Sequence, residues 1–118
     1  MNRSRAAARQ AIADLADATV ELRRHLEINE GLLALALESI DDGMTIKETI
    51  AAVPSIKERR AAEENMQHLY SVRREVRKTV IAAAIDEGMT VPEIATSYGI
   101  PVDRVADYIA AVADFRGD

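Results

Sequence analysis

The 118-residue sequence has no cysteine and no tryptophan, and its aromatic side chains are limited to three tyrosines and one phenylalanine. Without cysteine the chain can form no disulfide, no zinc thiolate site and no thiol nucleophile. With so few aromatic residues its core must be built from Ala, Leu, Ile and Val, a composition that favours helices. No apolar run reaches the roughly 20 residues of a membrane-spanning helix. We therefore expect a cytoplasmic protein that does not insert into a membrane.

The distribution of apolar residues predicts an all-α protein, because no segment shows the alternation typical of a β-strand. Along the first 41 residues, apolar or small side chains recur at alternating steps of four and three, which predicts one long helix. Three later helices begin at capping boxes, each with a Ser or Thr followed three residues later by Glu: Thr45, Ser55 and Thr90.

A short segment of the sequence is repeated. The nine residues from Ile40 to Glu48 match those from Ile85 to Glu93 at six positions, with an offset of 45 residues. Each copy combines an apolar helix end, a glycine stop and the capped start of a new helix. We interpret the pair as a structural duplication. The alternative is that any junction between a helix, a glycine and a capped helix has a similar sequence.

Three residues after the second copy follow a known spacing. Ala95, Gly99 and Val105 occupy the fifth, ninth and fifteenth places of a twenty-residue window that begins at Val91. Gly99 allows a sharp turn, and Ala95 is small where two helices would cross. The predicted core of this helix pair is apolar, comprising Ile94, Ile100, Val105 and Ile109. Residues 88–112 thus resemble the helix-turn-helix of bacterial and phage DNA-binding proteins, especially the three-helix type of resolvases and homeodomain-like regulators.

The resemblance and the repeat together predict three regions. Residues 1–41 would form a long dimerisation and core helix. Residues 42–87 would hold a degenerate helix-turn-helix copy and a second long helix, which completes the helical core. Residues 88–118 would form the C-terminal helix-turn-helix.

The resemblance implies that the start of the last helix faces DNA, at Val102, Asp103 and Asp107. Members of the family usually carry Ser, Thr, Gln, Arg or Lys there, whereas two carboxylates near phosphates are repulsive and Arg104 is the one base on this helix. Phosphate contacts are therefore expected from two basic clusters: Lys57, Arg59 and Arg60, and Arg73, Arg74, Arg77 and Lys78. A solvated helix face is the alternative for the second cluster.

The heptad seam of the first helix predicts pairing of two chains through Ile12, Leu15, Leu22, Leu26, Asn29 and Leu33. A polar Asn29 in such a seam would set the register of the pair. Packing against residues 55–87 of the same chain is the alternative. We favour a homodimer because dimeric helix-turn-helix proteins read paired half-sites in DNA.

Two functions are consistent with these features. The first is a small regulator-like protein that binds double-stranded DNA as a dimer. The second is a helical protein-interaction module that keeps the fold without binding DNA, which the net charge of −5 and the acidic last helix favour. No Ser/His/Asp set, glycine-rich phosphate loop or loop of metal ligands is present, so neither an enzyme, a cofactor nor a small-molecule substrate is predicted.

Overall fold

The computed structural model describes the backbone of residues 3–115 and the side chains in that range except those of 55–57 and 111–115. Its helices are, in order, α1 (Arg3–Asp41), α2 (Ile46–Ala52), α3 (Ser55–Asp86), α4 (Val91–Tyr98) and α5 (Val102–Phe115). No strand occurs in this part of the chain. The predicted all-α class and the long N-terminal helix are confirmed, and α1 continues through Gly31 without interruption.

The chain forms two compact units whose boundaries fall inside α1 and α3. The terminal unit comprises Met1–Ala16 and Ser71–Asp118, and the middle unit comprises Asp17–Tyr70. The three regions predicted from the sequence divide after residues 41 and 87, at or beside the ends of α1 and α3, and that division stays a prediction. A helix end need not be a unit boundary, because different segments of one long helix can contribute to different cores.

The terminal unit is organised around three fully buried aliphatic side chains. Ile81 of α3, Ile94 of α4 and Val105 of α5 are each no more than 1% exposed. The start of α1 is joined to the end of α3 by two polar contacts, a hydrogen bond from the Ser4 hydroxyl to Asp86 and an ion pair between Arg5 and Glu87 at 3.0 Å. The unit therefore draws on both ends of the chain.

The two repeated segments, which we call the first junction (Ile40–Glu48) and the second junction (Ile85–Glu93), have the same backbone structure. Gly43 and Gly88 are left-handed, with φ of 94° and 99°. The N–H groups of Met44 and Met89 donate to the carbonyl oxygen five residues earlier, at 3.0 and 2.9 Å. The threonine that follows each Met forms a complete capping box with the glutamate three residues later. The repeat is thus a repeat of structure as well as of sequence.

In the middle unit, α1 buries one side and exposes another. Its buried and half-buried side chains recur at steps of four and three: Ala18, Leu22, His25, Asn29, Leu32, Ala36 and Ser39. His25 Nδ1 lies 2.7 Å from Glu58 Oε1 of α3. The predicted seam shares Leu22 and Asn29 with this side, whereas Leu26 and Leu33 are exposed. Alternate members of the predicted seam therefore lie on the surface of the unit.

Candidate nucleic-acid interface

The turn between α4 and α5 has the geometry that the sequence pattern requires. Gly99 ends α4 in the left-handed region with φ of 65°, where a side chain would be strained. The N–H of Ile100 then donates to the carbonyl oxygen of Ala95 at 3.1 Å. The Val105 N–H donates to the carbonyl oxygen of Pro101 at 3.3 Å and joins the start of α5 to this turn. These hydrogen bonds fix the short connection between α4 and α5.

The inner faces of α4 and α5 close against the end of α3. Ala95 is buried beside Ile94, and Val105 is fully buried, as the sequence predicted. Ile100 and Ile109, the other two predicted core residues, are partly buried and pack against the same cluster. Sealing this face leaves the opposite face of α5 available for a ligand.

The outer face of α5 carries little positive charge. Val102 is 49% exposed, and Asp103, Arg104 and Asp107 are exposed on the same helix. Two carboxylates and one guanidinium give this surface a net negative charge. Non-specific phosphate binding is therefore not expected from α5 alone, whereas an Asp carboxylate can accept a hydrogen bond from a cytosine amino group.

The basic cluster of α3 is divided between surface and interior. Arg73 and Arg74 are exposed, whereas Arg77 and Lys78 are half-buried. All four belong to the terminal unit, as do the α5 residues that the resemblance assigns to DNA. The two exposed arginines are thus the members of this cluster best placed to meet phosphates.

Arg77 has partners inside the protein that sequence reasoning did not predict. Its guanidinium donates a hydrogen bond to the Tyr108 hydroxyl at 3.2 Å and lies 5.8 Å from the ring centroids of both Tyr98 and Tyr108. This cation–π arrangement joins α3 to the end of α4 and to α5. Burial raises the pKa of Tyr98, and the positive charge of Arg77 partly opposes that rise. Arg77 therefore helps to hold α3, α4 and α5 together.

The remaining predicted basic residues lie in the middle unit. Arg59 and Arg60 are exposed on α3, and the side chain of Lys57 lies outside the described residues. The predicted dimer residues fall into two classes. Leu15, Leu22 and Asn29 are half-buried within the chain, and Ile12, Leu26 and Leu33 are exposed.

One groove in the terminal unit has no counterpart in the sequence analysis. It measures about 530 Å³ and lies between the first turns of α1 and the last turns of α3. Its walls include the apolar residues Ala8, Ile12, Val80 and Met89, together with the charged Arg9. Nothing in the structure indicates an occupant.

No protein-family model, curated protein or solved structure matches this chain. None of the described helices is both long enough and apolar enough to cross a membrane. Among the side chains that the structure describes, no three His, Asp or Glu residues gather as metal ligands.

Proposed function

We propose that the protein is a non-enzymatic, regulator-like helix-turn-helix protein that binds double-stranded DNA as a dimer. The observation that carries this proposal is the arrangement of α4 and α5. Their inner faces are sealed by Ile94 and Val105, their connection is set by Gly99, and the outer face of α5 is exposed. A helix supported in this way can be presented to the major groove, as in helix-turn-helix proteins.

In this proposal the exposed arginines of α3 supply most of the affinity. Arg73 and Arg74 would neutralise phosphates, whereas Asp103 and Asp107 would weaken binding and restrict it to sites where a carboxylate finds a donor. The basic residues of the middle unit, including Arg59 and Arg60, would add further phosphate contacts. Binding should therefore fall steeply as salt is added.

The dimer part of the proposal draws support from the middle unit. Most of the large aliphatic side chains that are exposed in the described chain belong to it, including Leu33, Leu37 and Ile50 at 56%, 65% and 66% exposure. Exposed apolar surface on this scale is typical of association sites. Two copies would place two helix-turn-helix units on one duplex.

Fluorescence anisotropy with a labelled random duplex tests DNA binding. We expect binding at micromolar protein in about 50 mM salt, and at least a roughly tenfold loss of affinity at about 200 mM. The double substitution Arg73→Glu with Arg74→Glu should weaken binding by at least about tenfold at the lower salt concentration. Arg23→Glu with Arg24→Glu is a matched control, since these two exposed arginines change the net charge equally. No binding at low salt, or equal losses in both variants, would contradict the proposal.

A second candidate function is a protein-interaction module, favoured by the acidic outer face of α5 beside the exposed Val102. Converting Asp103 and Asp107 to lysine separates the two functions. A DNA-binding protein should gain affinity for duplex, because two repulsive charges become attractive. If the protein is an interaction module, the wild type should bind no duplex, and the lysine variant should lose the protein partner.

A further inference from the structure

The internal repeat relates a closed surface to an open one. With the offset of 45 residues, Ile40, Ile46 and Ile50 correspond to Ile85, Val91 and Ala95. In the terminal unit these last three residues belong to or pack against the cluster that α5 completes with Val105. The equivalent surface of the middle unit therefore has the same backbone structure as the surface that α5 covers in the terminal unit.

In the middle unit the three isoleucines of that surface are exposed, although Thr49 and Val53 beside them are buried, each 6% exposed. Ile40, Ile46 and Ile50 are 42%, 61% and 66% exposed. Leu33 and Leu37 precede Ile40 at helical spacing and are themselves 56% and 65% exposed. We call these five residues the open patch. The short turn at Gly43 keeps the α1 part of the patch next to the α2 part.

The residue that seals the terminal unit has a charged counterpart after α2. With the offset of 45 residues, Val105 of α5 corresponds to Arg60 of α3. Glu58 is engaged with His25 at 2.7 Å, and Arg59 and Arg60 are exposed. At this position α3 therefore lacks the buried valine with which α5 completes the core of the terminal unit.

We propose that a second copy of this chain covers the open patch, which makes the patch the dimer interface. The inference rests on the dimer of the proposed function and specifies its surface. At these exposures the five side chains present on the order of 500 Å² of apolar surface, within the roughly 300–600 Å² of the largest patch on a monomer, which is often a functional site. Two copies related by a two-fold axis would bury about 1,000 Å² from these side chains alone, close to the roughly 1,200 Å² at which stable specific interfaces begin.

The charges around the open patch predict an unusual salt response. Four exposed acidic residues and one exposed lysine adjoin it on α1 and α2: Glu38, Asp41, Asp42, Glu48 and Lys47. Two copies would bring these net negative rims together, and added salt screens that repulsion. The dimer should therefore tighten as salt rises, whereas binding to DNA weakens under the same change.

Sedimentation equilibrium of the full chain tests the patch. We expect a reversible dimer that is tighter at about 500 mM than at about 50 mM NaCl. Leu37→Glu with Ile50→Glu should weaken it on the order of 100-fold, since both side chains would be buried between copies. Val20→Glu with Ile28→Glu is the matched control, because these side chains are 53% and 42% exposed and lie outside the patch. Circular dichroism should show unchanged helix content in both variants.

Three results would overturn the inference. One is a wild-type chain that stays monomeric at high salt and at about 100 µM, well above the range of a specific complex. Another is a Leu37→Glu, Ile50→Glu variant that dimerises like the wild type. The third is dissociation by Leu26→Glu but not by that variant, which would place the interface on the predicted seam. If the dimer forms as expected but the protein does not bind DNA, the proposed function is overturned, whereas the assignment of the dimer interface to the open patch is not.

Discussion

The first and second junctions start from nearly the same nine residues and form the same hydrogen bonds, yet their apolar side chains differ in exposure. In the terminal unit Val91 is half-buried and Ala95 is buried. Their counterparts in the middle unit, Ile46 and Ile50, are more than half exposed. The comparison teaches that local signals determine how the chain turns, while closure depends on residues beyond the repeat, above all Val105.

The largest expected contrast is between Ile94, which is buried in the terminal unit, and Ile46, which is exposed in the middle unit. Ile94→Ala should lower the free energy of unfolding by about 2–5 kcal/mol, because a fully buried side chain leaves a cavity. Ile46→Ala, at a side chain 61% exposed, should change it by less than about 0.5 kcal/mol. Urea unfolding at dilute protein, followed by circular dichroism, measures both. Equal losses would mean that Ile46 is buried in solution, which would contradict its exposure.

The two junction glycines should behave alike. Gly43→Ala and Gly88→Ala should each lower the free energy of unfolding by about 1–2 kcal/mol, because both residues have a positive φ, which strains an L-residue. The added Cβ would contact no other atom at either position, so no steric clash adds to this loss. Gly31→Ala is the control: it lies inside α1 with open space around it, so it should stabilise by about 1 kcal/mol. A marked difference between Gly43 and Gly88 in the same urea assay would break the equivalence.

The capping threonines provide a similar test of smaller size. Thr45→Ala and Thr90→Ala should each lower the free energy of unfolding by about 1 kcal/mol, because each hydroxyl accepts a hydrogen bond from the third backbone N–H of its helix. Serine at either position should retain most of the stability. If one alanine substitution is silent in thermal unfolding, its capping box contributes nothing in solution.

The smallest expected effect separates the junctions again, because Arg77 corresponds to Leu32 in the first copy. Arg77→Met should lower the free energy of unfolding by about 1 kcal/mol through loss of the contacts with Tyr98 and Tyr108. It should also raise the pKa of Tyr98 further, since the opposing positive charge is gone.

Ultraviolet titration of the tyrosines measures this shift. A phenol whose pKa is raised by folding favours the folded state below its unfolded pKa, and this contribution is lost as pH rises through the folded pKa. Stability should therefore fall above about pH 10, where unfolded tyrosine ionises. An unchanged titration in Arg77→Met would show that Arg77 does not act on Tyr98.

Much of this fold follows from local sequence. The capping boxes at Thr45 and Thr90 and the turn at Gly99 depend on neighbouring residues, so their patterns predict them correctly. The core beside the second junction was predictable for the same reason, because Ile94 and Val105 are apolar at the positions where the sequence pattern predicts that two short helices pack together.

Other features depend on contacts that no local pattern contains. α1 carries apolar residues on both sides of its heptad seam, so its spacing alone cannot decide that Leu32 faces inward and Leu33 outward. The partners of Arg77 lie 21 and 31 residues away in the sequence, and only the packing of α3 against α4 and α5 brings them together. The unit boundaries inside α1 and α3 are hidden for the same reason.

Amide hydrogen exchange at two protein concentrations tests the contrast between the junctions most directly. At dilute protein, the amide of Ile50 in α2 should exchange on the order of 100-fold faster than that of its counterpart Ala95 in α4, because Ile50 is 66% exposed and Ala95 only 7%, and a less buried segment opens locally. Raising the concentration should protect α2 as the dimer forms and leave α4 unchanged. Equal protection of both helices at dilute protein would contradict the account.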